Sequence, residues 1–266
     1  MGAFEALLSL RRRAIDLPGV ALAEIAEELG RVEGDASGLD FAAGIELHKF
    51  VSADADVLRP IHFFRACTFD LVMRNRATWG RSLTRGRKHF YSVLEGDGQQ
   101  CIRSAQLMDS PPSDDTVDWW DRLSTAVRKA GDQEKLMRAR AAERLTIQHE
   151  HERLATLGIA LIPRWVAIED NTAGYDVLSY SPGDPEPLGL LIEVKSTIAS
   201  PLRFILTRHE WDTATKASNS YVFHIWDLSA NPPRLHIRTA EQIHPHIPSD
   251  QQLGRWAITE IPVKAQ

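Results

Sequence analysis

Residues 174–197 read GYDVLSYSPGDPEPLGLLIEVKST. Two apolar runs, YDVLSY and LGLLIEVKS, flank a break rich in Pro, Gly and Asp, the pattern of two strands joined by a turn. Charge interrupts both runs, as Asp176 in the first and as Glu193 and Lys195 in the second. Burying such groups costs several kcal/mol unless they pair, bind a metal or face a cleft. Residues two apart on a strand share a face, so Glu193 and Lys195 project together while Ile192 and Val194 point to the other side. If the two strands are neighbours, Asp176 comes close to that face. Two carboxylates beside an ammonium make an oxygen-ligand site suited to Mg²⁺ or Mn²⁺. The plainer alternative is a solvated Glu-x-Lys face, whose ion pair is worth 0 to about 1 kcal/mol.

The surrounding pattern is that of a mixed domain. A helix is expected from about Glu134 to Leu157, ended by Gly158, then a strand RWVAI and a polar loop EDNTAG. After the charged strand, Thr207 and Glu210 have the spacing of a capping box, opening a helix that runs to about Ser218. YVFHIWDL reads as a buried strand, and RLHIR and RWAITEIPV as shorter ones. Upstream, apolar residues at three- and four-residue spacing predict helices in FEALLSLRRRAIDL and in GVALAEIAEELGRVEG, the second stopped at Gly30. A polar loop, EGDASGLD, follows, then a helical stretch RPIHFFRACTFDLVMRNRATWG with Pro60 near its start. The stretch QQCIRSAQLMDSPPSDDTVDWWDRLSTAVRKA reads as two helices broken at DSPPSDD, with Ser113 capping the second, Val117 to Ala130. The change of texture at AGDQEK places a boundary between a helical domain, 1–130, and an α/β (α+β) domain, 131–266.

The chain has 266 residues, 43% apolar and 25% charged, with net charge −5. It is therefore not a polycation, and any nucleic-acid contact must come from a local basic patch. One exists: RNRATWGRSLTRGRK, 74–88, carries Arg81, Arg85, Arg87 and Lys88 among its cations and no acid. Such a patch positions a phosphate backbone rather than reading bases, or serves as a plain solvated face. Trp79 and Phe90 could stack on bases, with core packing as the alternative. Two cysteines, Cys67 and Cys101, suit a reducing compartment, and no stretch approaches the roughly 18 apolar residues of a membrane span. The chain reads as cytoplasmic. His149 and His151, two apart on a helix, point in different directions and cannot share a zinc ion. His244 and His246 read as surface residues.

GYDVLSY, LIEVKST, FILTRHEW and the spaced acids of AERLTIQHEHERLATLG resemble, in that order, the domain family named for the C-terminus of the plant protein NO VEIN. That family is similar to the Mrr-like restriction nucleases of the PD-(D/E)XK superfamily. The resemblance spans about residues 138–228 and implies a PD-(D/E)XK mixed sheet flanked by helices. By it, Asp176, Glu193 and the Val194 carbonyl match the metal ligands and Lys195 the catalytic lysine, with Mg²⁺ (or Mn²⁺) as cofactor. The helix acid falls on Glu143 or on Glu150, seven residues apart on one helical face; Ala142 stands where the family usually has Gly. Thr197 matches a small hydroxyl position that could touch a phosphate, and Phe204 and Trp211 match aromatic positions of the core. A DNA endonuclease of restriction or antiphage defence is implied, with ATPase/helicase or methyltransferase partner proteins and a homodimer as ways to complete its task. The alternatives are a silent nucleic-acid-binding or assembly module, and a nuclease acting on RNA.

Overall fold

Helices account for the regular structure of the described residues up to 132, as the apolar spacing requires. The structure, a computed structural model, describes residues 2–32, 38–52, 54–170 and 172–263. Its contacts divide the chain into two units, Met1–Asp132 and Gln133–Gln266.

The first unit contains α1 (Gly2–Asp16), α2 (Leu22–Val32), α3 (Phe41–His48), α4 (Pro60–Arg74), α5 (Arg76–Leu83), α6 (Arg87–Val93), α7 (Gly96–Ser104) and the beginning of α8 (Asp114–Thr156). Their apolar faces meet around Leu7, Phe63, Phe90, Ile102 and Leu123, none of them exposed. Gly30 does not stop α2, which continues to Val32. The stretch 59–80 divides between two helices because the Asn75 amide donates to the Leu71 carbonyl at 2.8 Å, competing with the main chain. Asp40 caps α3 by accepting from the Ala43 N–H, an element too short to show a period. Part of the expected loop at EGDASGLD lies outside the described residues. Ser113 does cap α8, accepting from Thr116 N at 3.3 Å. The helix does not end at Ala130, however: residues 130–135 are helical throughout. A lone Gly131 costs only about 1 kcal/mol there.

In the second unit, α8 is followed by β1 (Arg164–Trp165), α9 (Val166–Glu169), β2 (Val177–Ser181), β3 (Leu188–Thr197), β4 (Arg203–Thr207), α10 (Arg208–Ala217), β5 (Tyr221–Asp227), β6 (Arg234–Thr239), α11 (Ala240–Ile243) and β7 (Ile258–Pro262). Five strands form a mixed sheet in the order β1-β2-β3-β5-β6, and β4 pairs with β7 in a second sheet. The pair β3–β5 is parallel and the others are antiparallel. RWVAI is a strand only at its first two residues. The N–H groups of Val166 and Ala167 both turn onto the Asp176 carbonyl, at 2.8 and 3.0 Å, and the chain coils into α9.

The period of two divides the sheet into two apolar faces. Ile192, Val194, Val177 and Trp226 pack with Ala142 of α8. Tyr221, Phe223 and Ile225 face the other way, against Phe204, Leu206, Trp211 and Ala214. Glu193 and Lys195 lie in register with Phe223 and Ile225, so they belong to this second face, which α10 helps to cover.

Candidate active site

The register Val177↔Ile192 sets Asp176, one residue before β2, beside Glu193. Asp176 is held by its main chain, its N–H donating to Ile192 O at 2.9 Å. Its side chain then takes the place of a neighbouring strand: Oδ2 accepts from Val194 N at 2.8 Å. N–H and C=O of one strand residue leave on the same edge, so the Val194 carbonyl is directed to the Asp176 side. On the adjoining face, Glu193 Oε1 lies 2.7 Å from Lys195 Nζ, and Lys195 Nζ lies 2.7 Å from Glu210 Oε2 of α10. The Tyr221 hydroxyl lies 3.4 Å from Glu193 Oε2 and donates to the Gly174 carbonyl at 2.7 Å. Glu143 on α8 accepts from Arg140 Nη1 at 2.6 Å and from the Trp165 indole, and its charge is felt by Asp176.

Burial dominates the electrostatics. It pushes the Asp176 carboxyl up to about 6, helped by the charges of Glu143 and Glu210 and opposed by the Val194 N–H and by Lys195. Burial also raises Glu193 well above the usual carboxylate range, against the pull of Lys195. For Lys195, burial alone would lower the pKa, but Glu193 and Glu210 outweigh it and the ammonium is held charged. Glu210 is lowered overall: burial works against ionisation and Lys195 overcomes it. When all are ionised, Asp176, Glu193 and Glu210 around Lys195 leave negative charge in excess, and a divalent cation would offset it. The donor chemistry fits Mg²⁺ or Mn²⁺, which accept a few protein oxygens and complete their shell with water. Among the described residues no group of three or more His, Cys, Asp and Glu side chains is arranged for a metal, so the donors on offer are two carboxylates and a main-chain carbonyl.

Glu150 stands apart from this cluster. Seven residues along α8 is a rise of about 10 Å, and there Glu150 accepts from Arg153 Nε and Nη2, the latter at 2.6 Å, and from the Ser179 hydroxyl. Ser179 pairs with Leu190, on the face opposite Glu193. His149 and His224 each bring Nε2 to 3.9 Å from the same carboxylate. Thr197 shares the face of Glu193 and Lys195, but it is buried and its hydroxyl accepts from Ala199 N at 3.1 Å. Ala142 has no exposed surface and packs on Val177 and Ile192, while Phe204 and Trp211 are buried in the second apolar face.

In the first unit, Arg81, Arg85 and Lys88 are exposed. Arg87 turns inward and donates from Nη1 to the carbonyls of Leu107 and Asp109, at 3.2 and 3.0 Å. Trp79 packs edge-on to buried Phe90, and Trp119 edge-on to Trp120. These rings belong to the core cluster of that unit or pack against it.

Glu210 and Tyr221 join the cluster without having been singled out by sequence. Glu210 was visible as the third residue of a capping box and as part of FILTRHEW, with no role in the site attached to it. Its second contact depends on where α10 crosses β3, which no local pattern encodes. No described helix is long and apolar enough to cross a membrane.

Comparison with curated proteins and with solved structures gives no significant match. A match to a family model does exist, and its interval contains Glu143, Asp176, Glu193, Lys195 and Glu210. Residues 142–238 match the nuclease-like family described as Protein NO VEIN, C-terminal, the family that the strand and helix motifs resemble.

Proposed function

We propose that the second unit is a metal-dependent endonuclease of the PD-(D/E)XK type, hydrolysing phosphodiester bonds of DNA in restriction or antiphage defence. The observation that carries the reading is the convergence of Asp176, Glu193 and Lys195 on one end of the sheet. Asp176, Glu193 and the Val194 carbonyl would hold Mg²⁺ or Mn²⁺. The cation would supply Lewis acidity and make a water more acidic. Lys195, kept charged by its carboxylate neighbours, orients the attacking water and offsets the charge that develops on the phosphate. Glu143 aligns the cluster from α8, beside Asp176. Arg81, Arg85 and Lys88 of the first unit, all exposed, would contact the phosphate backbone, whereas Thr197, buried and bonded to Ala199 N, is left to a structural role. ATPase or methyltransferase partners, and a homodimer for double-strand cleavage, belong to the same proposal.

The test is incubation of the purified chain with plasmid, linear and single-stranded DNA and with RNA, in Mg²⁺, Mn²⁺ or EDTA, alongside Asp176→Ala and Lys195→Ala. Cleavage of DNA that needs the cation and is lost in both variants supports the reading. Cleavage of RNA alone moves the substrate class. Binding of nucleic acid that survives both substitutions, without cleavage, replaces the enzyme with a binding module.

A further inference from the structure

We propose that Glu210 is the positioning residue of Lys195, and that its charge, rather than its capping role, is what the site uses. The inference rests on the proposed function for its consequence in catalysis, but not for its geometry.

The second unit carries its own comparison. At the start of α10, Thr207 N donates to Glu210 Oε2 at 3.0 Å and Glu210 N donates to Thr207 Oγ1 at 3.3 Å. At the start of α11, Thr239 N donates to Gln242 Oε1 at 3.0 Å and Gln242 N donates to Thr239 Oγ1 at 3.3 Å. A neutral amide therefore closes the same box with the same two bonds, as the motif generally allows. The carboxylate at 210 adds something the cap does not need. Its Oε2, the oxygen that closes the box, also lies 2.7 Å from Lys195 Nζ.

The cap in turn makes Glu210 a good anchor. The bond from Thr207 N holds the carboxylate at the helix start, the reciprocal bond from Glu210 N holds its main chain there, and that oxygen has little freedom to follow the lysine. Lys195 has four rotatable bonds and could otherwise lie wholly on Glu193. Between Glu193 and Glu210, at 2.7 Å from each, the ammonium is fixed at the rim of the Asp176–Glu193 pair. If Glu193 gives its oxygens to a cation, Glu210 is the acceptor that still holds the lysine.

The experiment compares wild type, Glu210→Gln, Lys195→Met and the double variant. Glu210→Gln keeps the cap and leaves Lys195 its other partner, Glu193 at 2.7 Å, so its melting temperature should fall by less than the roughly 10 °C expected when a buried charge loses its pair. Single-turnover cleavage at saturating DNA and Mn²⁺ should fall at least tenfold, with DNA affinity measured in Ca²⁺ unchanged within twofold. In the Lys195→Met background the same substitution should leave the residual single-turnover rate, followed over long incubation, within twofold, because a residue that acts through the lysine has nothing left to position. An equal fall in both backgrounds, or wild-type cleavage by Glu210→Gln, would overturn the proposal. A readout independent of activity is the nitrogen-15 NMR signal of the Lys195 ammonium, assigned by its loss in Lys195→Met. Glu210→Gln should shift or broaden it. If the wild-type chain cleaves nothing, the nuclease reading fails, and an unchanged ammonium signal in Glu210→Gln then overturns the positioning as well, while a shifted one upholds it.

Discussion

Replacing Glu143 and Glu150 one at a time by Gln separates catalysis from stability. The two acids are seven residues apart and both buried, yet they meet different partners. Glu150 receives the Arg153 guanidinium and the Ser179 hydroxyl, and Arg153 Nη2 goes on to the Tyr180 carbonyl at 2.6 Å. This is a staple between α8 and β2. Breaking one side of a buried charge pair costs about 3–5 kcal/mol. The Arg153 side chain is 25% exposed against 1% for Glu150, so the guanidinium can recover some hydration, and we take the lower end, about 3 kcal/mol. For a unit of this size that is a fall of about 10 °C in melting temperature. Glu143→Gln keeps an acceptor for the Trp165 indole and loses one ion pair, to Arg140, whose side chain is 32% exposed and recovers hydration, so the loss should be nearer about 1 kcal/mol, about 3 °C in melting temperature. Cleavage should show the reverse: near wild type in Glu150→Gln below its melting range, and reduced at least a hundredfold in Glu143→Gln. Circular-dichroism melts and plasmid nicking at 20 °C read both. A Glu150→Gln protein that melts like wild type but no longer nicks DNA would refute the assignment and make Glu150 the helix acid.

Three further outcomes follow from the same geometry. His224 is buried beside Glu150, and burial above all pushes its pKa down to about 4 from an ordinary 6.5. At this one site the unfolded chain then binds more protons than the folded one between these values, so the contribution of His224 to stability falls as pH drops through that window, by up to about 3 kcal/mol. Asp176 and Glu193, raised by burial, act in the opposite sense over part of the same window, so the test is the difference between wild type and His224→Gln in urea unfolding at pH 7, 5.5 and 4.5: the variant should lose less stability on acidification, and equal slopes would count against the assignment. Gly174 has φ +78°, and a Cβ there would lie 2.3 Å from Thr213 Oγ1. Gly174→Ala should therefore cost about 1–3 kcal/mol and also lower cleavage, because Asp176 is two residues on; chemical denaturation and the nicking assay measure each part. Arg81→Ala and Lys88→Ala should each reduce the slope of log affinity against log salt by about 0.9 if they touch phosphates. Arg87→Ala should instead destabilise the first unit by releasing its two carbonyl contacts, and unchanged salt slopes in the first two variants would remove the patch from the DNA-binding surface.

How legible the molecule is from sequence depends on how local its determinants are. Alternation over 188–197 and the turn before it gave the β2–β3 hairpin, and with it the meeting of Asp176 and Glu193. The capping box at Thr207 and the apolar run at 221 were equally local. RWVAI misled because a strand-like composition is overridden by two N–H groups, of Val166 and Ala167, converging on the Asp176 carbonyl beyond the intervening polar loop. Glu143 and Glu150 could not be told apart, since helical spacing gives a common face but not the height on it at which the sheet ends. The continuity of α8 through Gly131 was hidden by a glycine whose modest cost the flanking helix formers absorb. β4 was missed because its partner, β7, is some fifty residues away, and Glu210 because its partner sits across a crossover.

That crossover sets the order in which the cluster can come into being. The β2–β3 hairpin closes through a short loop and can bring Asp176 to Glu193 by itself. Tyr221 and Glu210 come into place only after β4 and α10 have wrapped across and β5 has docked in parallel on β3, a non-local closure whose entropy must be met before its contacts form. The acids are thus gathered early and the lysine is clamped late. A chain cut short before residue 221, or still emerging from the ribosome, contains the Asp, the Glu and the Lys but no fixed ammonium between two carboxylates. On the proposed function, competence to cut arrives with the parallel pairing of β5 on β3, which keeps an unfinished nuclease inert in the cell that makes it.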